Sequence, residues 1–247
     1  AGNVGISYDI HFHRLLVEGD RVSQYKSVAS VSDLKQTALG EGYFFTDRVE
    51  YLDQNDELFA EAFITYFQYN PRQQEHAGND NVEIAPATPT APATTDDTTP
   101  WRSDFVDVNA EQLEPGVALP ELVIPITHKL ILSGAAASQD YEDGHHNAPA
   151  ARAVAMPDIF MNILTTCGLS GRYLTDWAGP GSRLQKISFK LMAPNVPGDT
   201  MVMQGQVKHV SKANGNASEP PEVTVEFAGS NSRGFHVTGS ATLALAS

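Results

Sequence analysis

Two stretches of the chain echo one another. Leu16-Val17-Glu18-Gly19-Asp20-Arg21-Val22 aligns with Asn195-Val196-Pro197-Gly198-Asp199-Thr200-Met201, an offset of 179 residues from Leu16 to Asn195. Each Gly-Asp turn leads into long runs rich in β-branched and aromatic residues. Val22–Val31 answers to Met201–Val210, and Leu58–Phe67 to Phe235–Leu245. A Gly-Asp dipeptide alone punctuates many hairpins. The same strand order after it twice describes two copies of one antiparallel sheet unit. Such a sheet has an apolar face that something must cover.

The rest of the sequence fits that frame. Ile6–Phe12 and Gly42–Tyr51 also read as strands, separated by turn signals at Gly40-Glu41-Gly42 and Asp53-Gln54-Asn55-Asp56. The Pro/Ala/Thr run from Ala85 to Pro92 and the Thr/Asp run after it cannot build a core, which makes 71–104 a tether. The chain then divides into a strand-only unit at 1–70 and a second unit at 105–247. In the second unit, Leu122–Thr127 reads as a strand and 128–139 as a short helix. A longer helix is expected over 157–172. Pro157 suits its first turn, Ile159, Phe160, Ile163, Leu164 and Cys167 supply an apolar stripe, and Gly168 and Gly171 offer a stop. Strands follow at 184–191, 200–210, 222–228 and 235–246. The first unit's helix is absent or lies before Ala1, so a partner chain or the second unit's elements must cover the first sheet. Association into an oligomer is expected.

Composition narrows the function classes. Formal net charge is −14, which opposes binding to phosphate backbones and points away from nucleic acid. Cys167 is the one cysteine, so no internal disulfide forms; this fits a reducing compartment, and a cytoplasmic location is expected. No apolar run approaches the roughly 20 residues that span a bilayer, so no membrane role is expected.

The segment that carries chemistry is Ser138-Gln139-Asp140-Tyr141-Glu142-Asp143-Gly144-His145-His146-Asn147. It sets an acid five residues before a histidine, on a loop leading toward a helix. Three readings fit that spacing. The loop is merely solvated; or Asp140, Asp143, His145 and His146 hold part of a metal site, though no second cluster completes one; or Asp140 and His145 hold a water between them as acid and base. In the last case, backbone N–H groups near Ala155, Met156 and Pro157 (which itself has none) would receive a carbonyl oxygen that becomes an enolate.

The wider pattern resembles a known family. Asp140-Tyr141-x-x-x-His145-His146, Asp158 to Thr165, Thr175-Asp176-Trp177-Ala178-Gly179-Pro180 and Pro197-Gly198-Asp199-Thr200 are similar to the MaoC-type (R)-specific enoyl-CoA hydratases, especially the branch of steroid side-chain degradation. The family signature is Asp-x-Asn-Pro-x-His; here Glu142 and Asp143 replace Asn-Pro, and Gly144 precedes the histidine. Tyr8 to Phe67, with Gly40-x-Gly42-Tyr43-Phe44-Phe45-Thr46 and Tyr51-x-Asp53-Gln54, resembles the non-catalytic unit of double hot-dog hydratases. The resemblance implies an α+β double hot-dog fold with a central helix in the C-terminal unit. It implies hydration of a 2-enoyl-CoA by Asp140 and His145, an acyl-CoA substrate, and no metal or redox cofactor. A missing first helix leaves room for a bulky acyl group.

Other residues are weighed beside this pair. Asn162 interrupts an apolar helix face and either orients the loop or makes a plain helix bond. Arg172 and Arg183 are candidates for CoA phosphates, and Trp177 for substrate contact or core. Cys167 reads as an inert core thiol, and His11 and His13 as a structural pair on one strand face. A thioesterase of the same fold would carry its acid on the central helix, which makes Asp158 the residue to watch. A non-catalytic partner subunit is the third class.

Overall fold

The computed structural model describes residues 1–71, 104–211 and 220–246. The tether expected over 71–104 lies, but for its two end residues, outside the described residues.

Residues 1–71 form five strands and no helix: β1 (Gly2–Phe12), β2 (Ser23–Val31), β3 (Lys35–Gln36), β4 (Gly40–Leu52) and β5 (Leu58–Pro71). The second unit runs β6 (Ala118–Ile126), α1 (His128–Ala137), α2 (Ala148–Ala153), α3 (Ile163–Ala178), β7 (Arg183–Leu191), β8 (Asp199–Ser211), β9 (Glu222–Asn231) and β10 (Gly234–Ala244). All the strands join one antiparallel sheet in the order β2-β4-β5-β1-β7-β10-β9-β8-β6, with β3 on β4. The two units meet where β1 pairs with β7, from Ser7 opposite Lys190 to His11 opposite Lys186.

The sequence echo is visible in this order. Outward from the junction come β1, β5, β4 and β2 on one side, and β7, β10, β9 and β8 on the other. Strands β2 and β8, which follow the two Gly-Asp turns, hold the same place. Gly19 and Gly198 both have left-handed backbones (φ 97° and 87°), the conformation in which glycine has least to lose. The fold is the α+β double hot-dog, with a helix in the second unit.

That central helix starts later than the sequence pattern suggests. It spans Ile163–Ala178, not 157–172. The Asn162 side chain accepts the Thr165 N–H at 2.9 Å and caps the helix there. Before it, the Phe160 and Met161 N–H groups are drawn to the carbonyls of Gly144 and Asn195, which keeps 157–161 out of the helix. Gly168 and Gly171 lie inside it, and Gly179 (φ 94°) ends it.

Helix α3 packs across β1, β6 and β7 and beside α1. Its buried side is Ile163, Thr166, Ser170, Tyr173, Leu174 and Ala178. One core serves both units, since Tyr8, Ile10, Val49, Ala62 and Ile64 cluster with Ile187, Phe189, Val225 and Leu243. Leu174 is fully buried in it, and truncating such a leucine to alanine costs about 2–5 kcal/mol. A second cluster joins Val4, Phe67 and Tyr69 to Ala151, Phe160 and Val196. The second unit thus covers much of the first sheet, while β2 stays exposed along its whole length. Among the described residues no helix is long and apolar enough to cross a membrane.

Candidate active site

The loop after α1 is pinned at both ends. The Ser138 hydroxyl donates to the Gly134 carbonyl at 2.8 Å, Gln139 turns the chain with φ 55°, and the Asp140 N–H donates to the Ala135 carbonyl at 2.9 Å. This reversal sets Asp140 beside the start of α3. A short 3-10 turn at Asp143–His145 then buries His145. A Cβ on Gly144 would lie 2.7 Å from Phe160 Cε1, so glycine is what lets the loop close against that ring.

The His145 Nδ1 lies 2.7 Å from the Phe160 carbonyl, and the two rings meet edge to face at 4.8 Å. A carbonyl oxygen only accepts, so Nδ1 carries a hydrogen, which leaves Nε2 as the ring nitrogen that can accept or release a proton. That Nε2 stands 3.4 Å from Asp140 Oδ2. At that spacing the nitrogen and the carboxylate oxygen share one proton or, when both are unprotonated, receive the two hydrogens of one water. Asn162 fixes the carboxylate: its Nδ2 donates to Asp140 Oδ2 at 3.0 Å and to Ser138 Oγ at 2.8 Å. With the shared proton on Nε2, the hydrogen bond that His145 donates, and then that from Asn162, outweighs burial and holds the Asp140 carboxyl below the usual carboxylate range.

In front of Asp140 lies a cleft of about 470 Å³. The second unit lines it with Ser138, Gln139, Asp140, Ile163 and Leu164, and the first sheet with Lys26, Asp47, Tyr66 and their neighbours. A larger depression of about 900 Å³ on the outer face of the second unit's strands holds none of the loop's residues. The smaller cleft is the one that meets the acid and the helix start.

The oxyanion donors expected at Ala155 and Met156 need correction. Their N–H groups donate to the carbonyls of Arg152 and Ala151 at 3.0 Å each, closing the end of α2. The helix start lies further on, at Ile163 and Leu164. The first N–H groups of a helix have no partner within it. Asn162 takes that of Thr165, its carbonyl takes that of Thr166, and those of Ile163 and Leu164 remain at the cleft wall, at the positive end of the helix. The misplaced helix start hid them in the sequence.

Other candidates lie elsewhere. Arg172 pairs with Asp176 at 3.2 Å on an exposed side of α3, Arg183 opens β7, and Trp177 packs against the core; none lines the cleft. Asp158 precedes α3, caps the Ile159 N–H and faces Arg152 at 3.9 Å, so the helix carries no acid there for a thioesterase. His11 and His13 stand ring to ring at 4.4 Å, exposed and outside the cleft lining. Burial pushes the Cys167 thiol up to about 12.

Known proteins share this architecture. A MaoC-like dehydratase superposes with a TM-score of 0.73 at 14% identity, covering 99% of this chain and 76% of that one, a likeness of fold alone. Over 130 residues the chain is 38% identical to the 3-oxo-4,17-pregnadiene-20-carboxyl-CoA hydratase beta subunit of Mycobacterium tuberculosis, covering 53% of this chain and 95% of that protein. The chain belongs to the MaoC-like hydratase family. This hydratase is also 39% identical over 72 residues to a probable enoyl-CoA hydratase alpha subunit of Thermomonospora curvata, covering 29% of this chain and 23% of that relative's length. No family model matches the hydratase. Its loop replaces the Asn-Pro of the signature with Glu142-Asp143 and supplies the 3-10 turn and the glycine that His145 needs to reach Phe160.

Proposed function

We propose that Asp140 and His145 of this enoyl-CoA hydratase add water across the C2–C3 bond of a bulky 2-enoyl thioester. The observation that carries the reading is convergence: Asp140 and the helix-start residues Ile163 and Leu164 line one cleft, and the buried imidazole of His145 stands behind the carboxylate, its Nε2 3.4 Å from Asp140 Oδ2. A water held by Asp140 Oδ2 and His145 Nε2 loses one hydrogen to the pair as its oxygen bonds to C3. The electron pair of the double bond moves through C2 to the thioester oxygen, where the Ile163 and Leu164 N–H groups stabilise the enolate. The pair returns the proton to C2, and the sum is one water added.

Bulk is supported by the first sheet, which among the described residues has no helix of its own, and by the Mycobacterium tuberculosis relative, whose name gives it a steroid-derived CoA ester. That relative is named a beta subunit, and strand β2 is uncovered here, which favours an oligomer that includes a second chain.

The test is Asp140→Asn, followed by loss of the enoyl-thioester absorbance. Turnover falls by about 10²–10⁴-fold, the range for a lost acid–base group, while the Kd for a 2-enoyl-CoA stays within a few fold of the parent. A variant that keeps full turnover removes Asp140 from the chemistry, and a parent without turnover makes this chain a non-catalytic subunit. Release of free CoA thiol by the parent makes it a thioesterase.

A further inference from the structure

The paired strands of the two sheet units repeat position by position, so a residue of β1, β5, β4 or β2 has a counterpart in β7, β10, β9 or β8. Tyr8 is opposite Ile64, and Ile64 opposite Asp47; the matching chain in the second unit is Ile187, Ala241 and Val225. Asp47 therefore occupies the place of Val225. By the same step, Lys26 opposite Val49 occupies the place of Gly205 opposite Phe227. In the second unit these places are apolar or bare because α3 lies on them. Val225 is fully buried, and a Cβ on Gly205 would come within 3.3 Å of the Tyr173 ring. In the first unit the same two places hold an ion pair, Lys26 Nζ to Asp47 Oδ2 at 2.7 Å.

An uncovered sheet face becomes surface, and surface residues are charged for no further reason. Asp47 does not fit that account. Its residue is 9% exposed, opposite Ile64 on β5, while the Lys26 side chain that pairs with it is half-exposed. A charge so placed is costly unless paired, and such a pair adds little to stability over apolar residues of the same volume. The Lys26 ammonium also lies 5.6 Å from the centre of the Tyr66 ring. Lys26, Asp47 and Tyr66 all line the cleft that Asp140 closes from the other side.

We propose that Lys26, held by Asp47 and flanked by Tyr66, is a specificity-determining residue that binds a neutral oxygen, a carbonyl above all, on the acyl group at the end remote from the thioester. This rests on the hydratase reading above and adds a chemical class to its substrate. The ammonium has three hydrogens and gives one to Asp47, which leaves donors for an acceptor in the cleft. Because Asp47 already balances the charge, the site favours a ketone over a carboxylate. Phe45, Ile163 and Leu164 give the wall an apolar part that suits a hydrocarbon frame, beside the polar Asn3, Gln68, Ser138 and Gln139.

Two thioesters separate the outcomes: 3-cyclohexylpropenoyl-CoA and 3-(4-oxocyclohexyl)propenoyl-CoA, which differ by one ketone. The full-length parent hydrates the ketone ester with the higher kcat/KM. In Lys26→Met/Asp47→Leu, which strands neither charge, that preference falls about tenfold, while thermal melting confirms the fold. Lys26→Arg keeps part of the preference. A double variant with the parent's preference, or one in which both esters lose equally, overturns the assignment while leaving the hydratase reading intact. A parent that hydrates neither these nor any shorter enoyl-CoA overturns the hydratase reading itself.

Discussion

Asn162 does two tasks with one amide. Its oxygen caps α3, and its nitrogen holds Asp140. Replacing it with alanine removes both, at a cost of about 1 kcal/mol for the cap, and a catalytic group displaced by about 1 Å loses on the order of 10²-fold in rate. Asn162→Asp separates the two. It keeps the cap, so the melting temperature stays near the parent's. It also sets a second carboxylate against Asp140, and like charges raise a carboxyl's pKa. The acid limb of kcat/KM then moves to higher pH than in the parent, where Asp140 is held low. An unmoved limb would remove Asn162 from the charge balance of the site. The Asp140–His145 pair was legible in the sequence because both residues sit on one loop, where spacing decides reach. The enolate donors were not. They depend on where α3 begins, and Pro157 and the apolar spacing suggested a start that the Asn162 cap moves to Ile163.

At the scale of elements, α3 is anchored by a buried histidine. His236 is 2% exposed; its Nδ1 donates to the Ala193 carbonyl at 2.7 Å, and its Nε2 accepts from the Thr166 hydroxyl at 2.9 Å. Burial pulls its pKa below the ordinary value, against the bond to Ala193. The sign follows from linkage. Below about 6.5 the unfolded chain binds a proton that the folded chain refuses, so stability is lost as pH falls through that value. The parent's melting temperature should drop more between pH 7.5 and 5.5 than that of His236→Gln. Equal drops would mean that another group sets the acid sensitivity. The helix pair is equally tight, since a Cβ on Gly134 would meet Thr165 Oγ1 at 2.1 Å. Gly134→Ala therefore pushes α1 off α3, costing about 1–3 kcal/mol as overpacking does, and lowers kcat because Ser138 and Asp140 continue from α1. Nothing in the spacing of residues 128–139 announced that contact; a glycine inside a short helix gains meaning only once its neighbour is placed.

At the scale of the molecule, the echo between residues 16–22 and 195–201 was enough to infer two copies of one antiparallel sheet unit, because strand order and turn geometry are local properties repeated twice. What covers the first sheet was not legible, since it depends on contacts between residues far apart in sequence. The junction now gives a reason for the two units to hold together without the intervening segment. Main-chain bonds run along β1 and β7, and Tyr8, Ile10 and Ile64 share a core with Ile187 and Phe189. Without the first unit, β7 becomes an open edge with an apolar face, the arrangement that invites aggregation. Residues 1–71 and 104–247 made as two chains in one cell should therefore purify as a 1:1 complex that hydrates enoyl-CoA, whereas 104–247 alone should aggregate or lose activity, as light scattering and the absorbance assay would report. An active, monomeric 104–247 would mean that the first sheet contributes neither core nor cleft wall, and the cleft would have to be sought within the second unit.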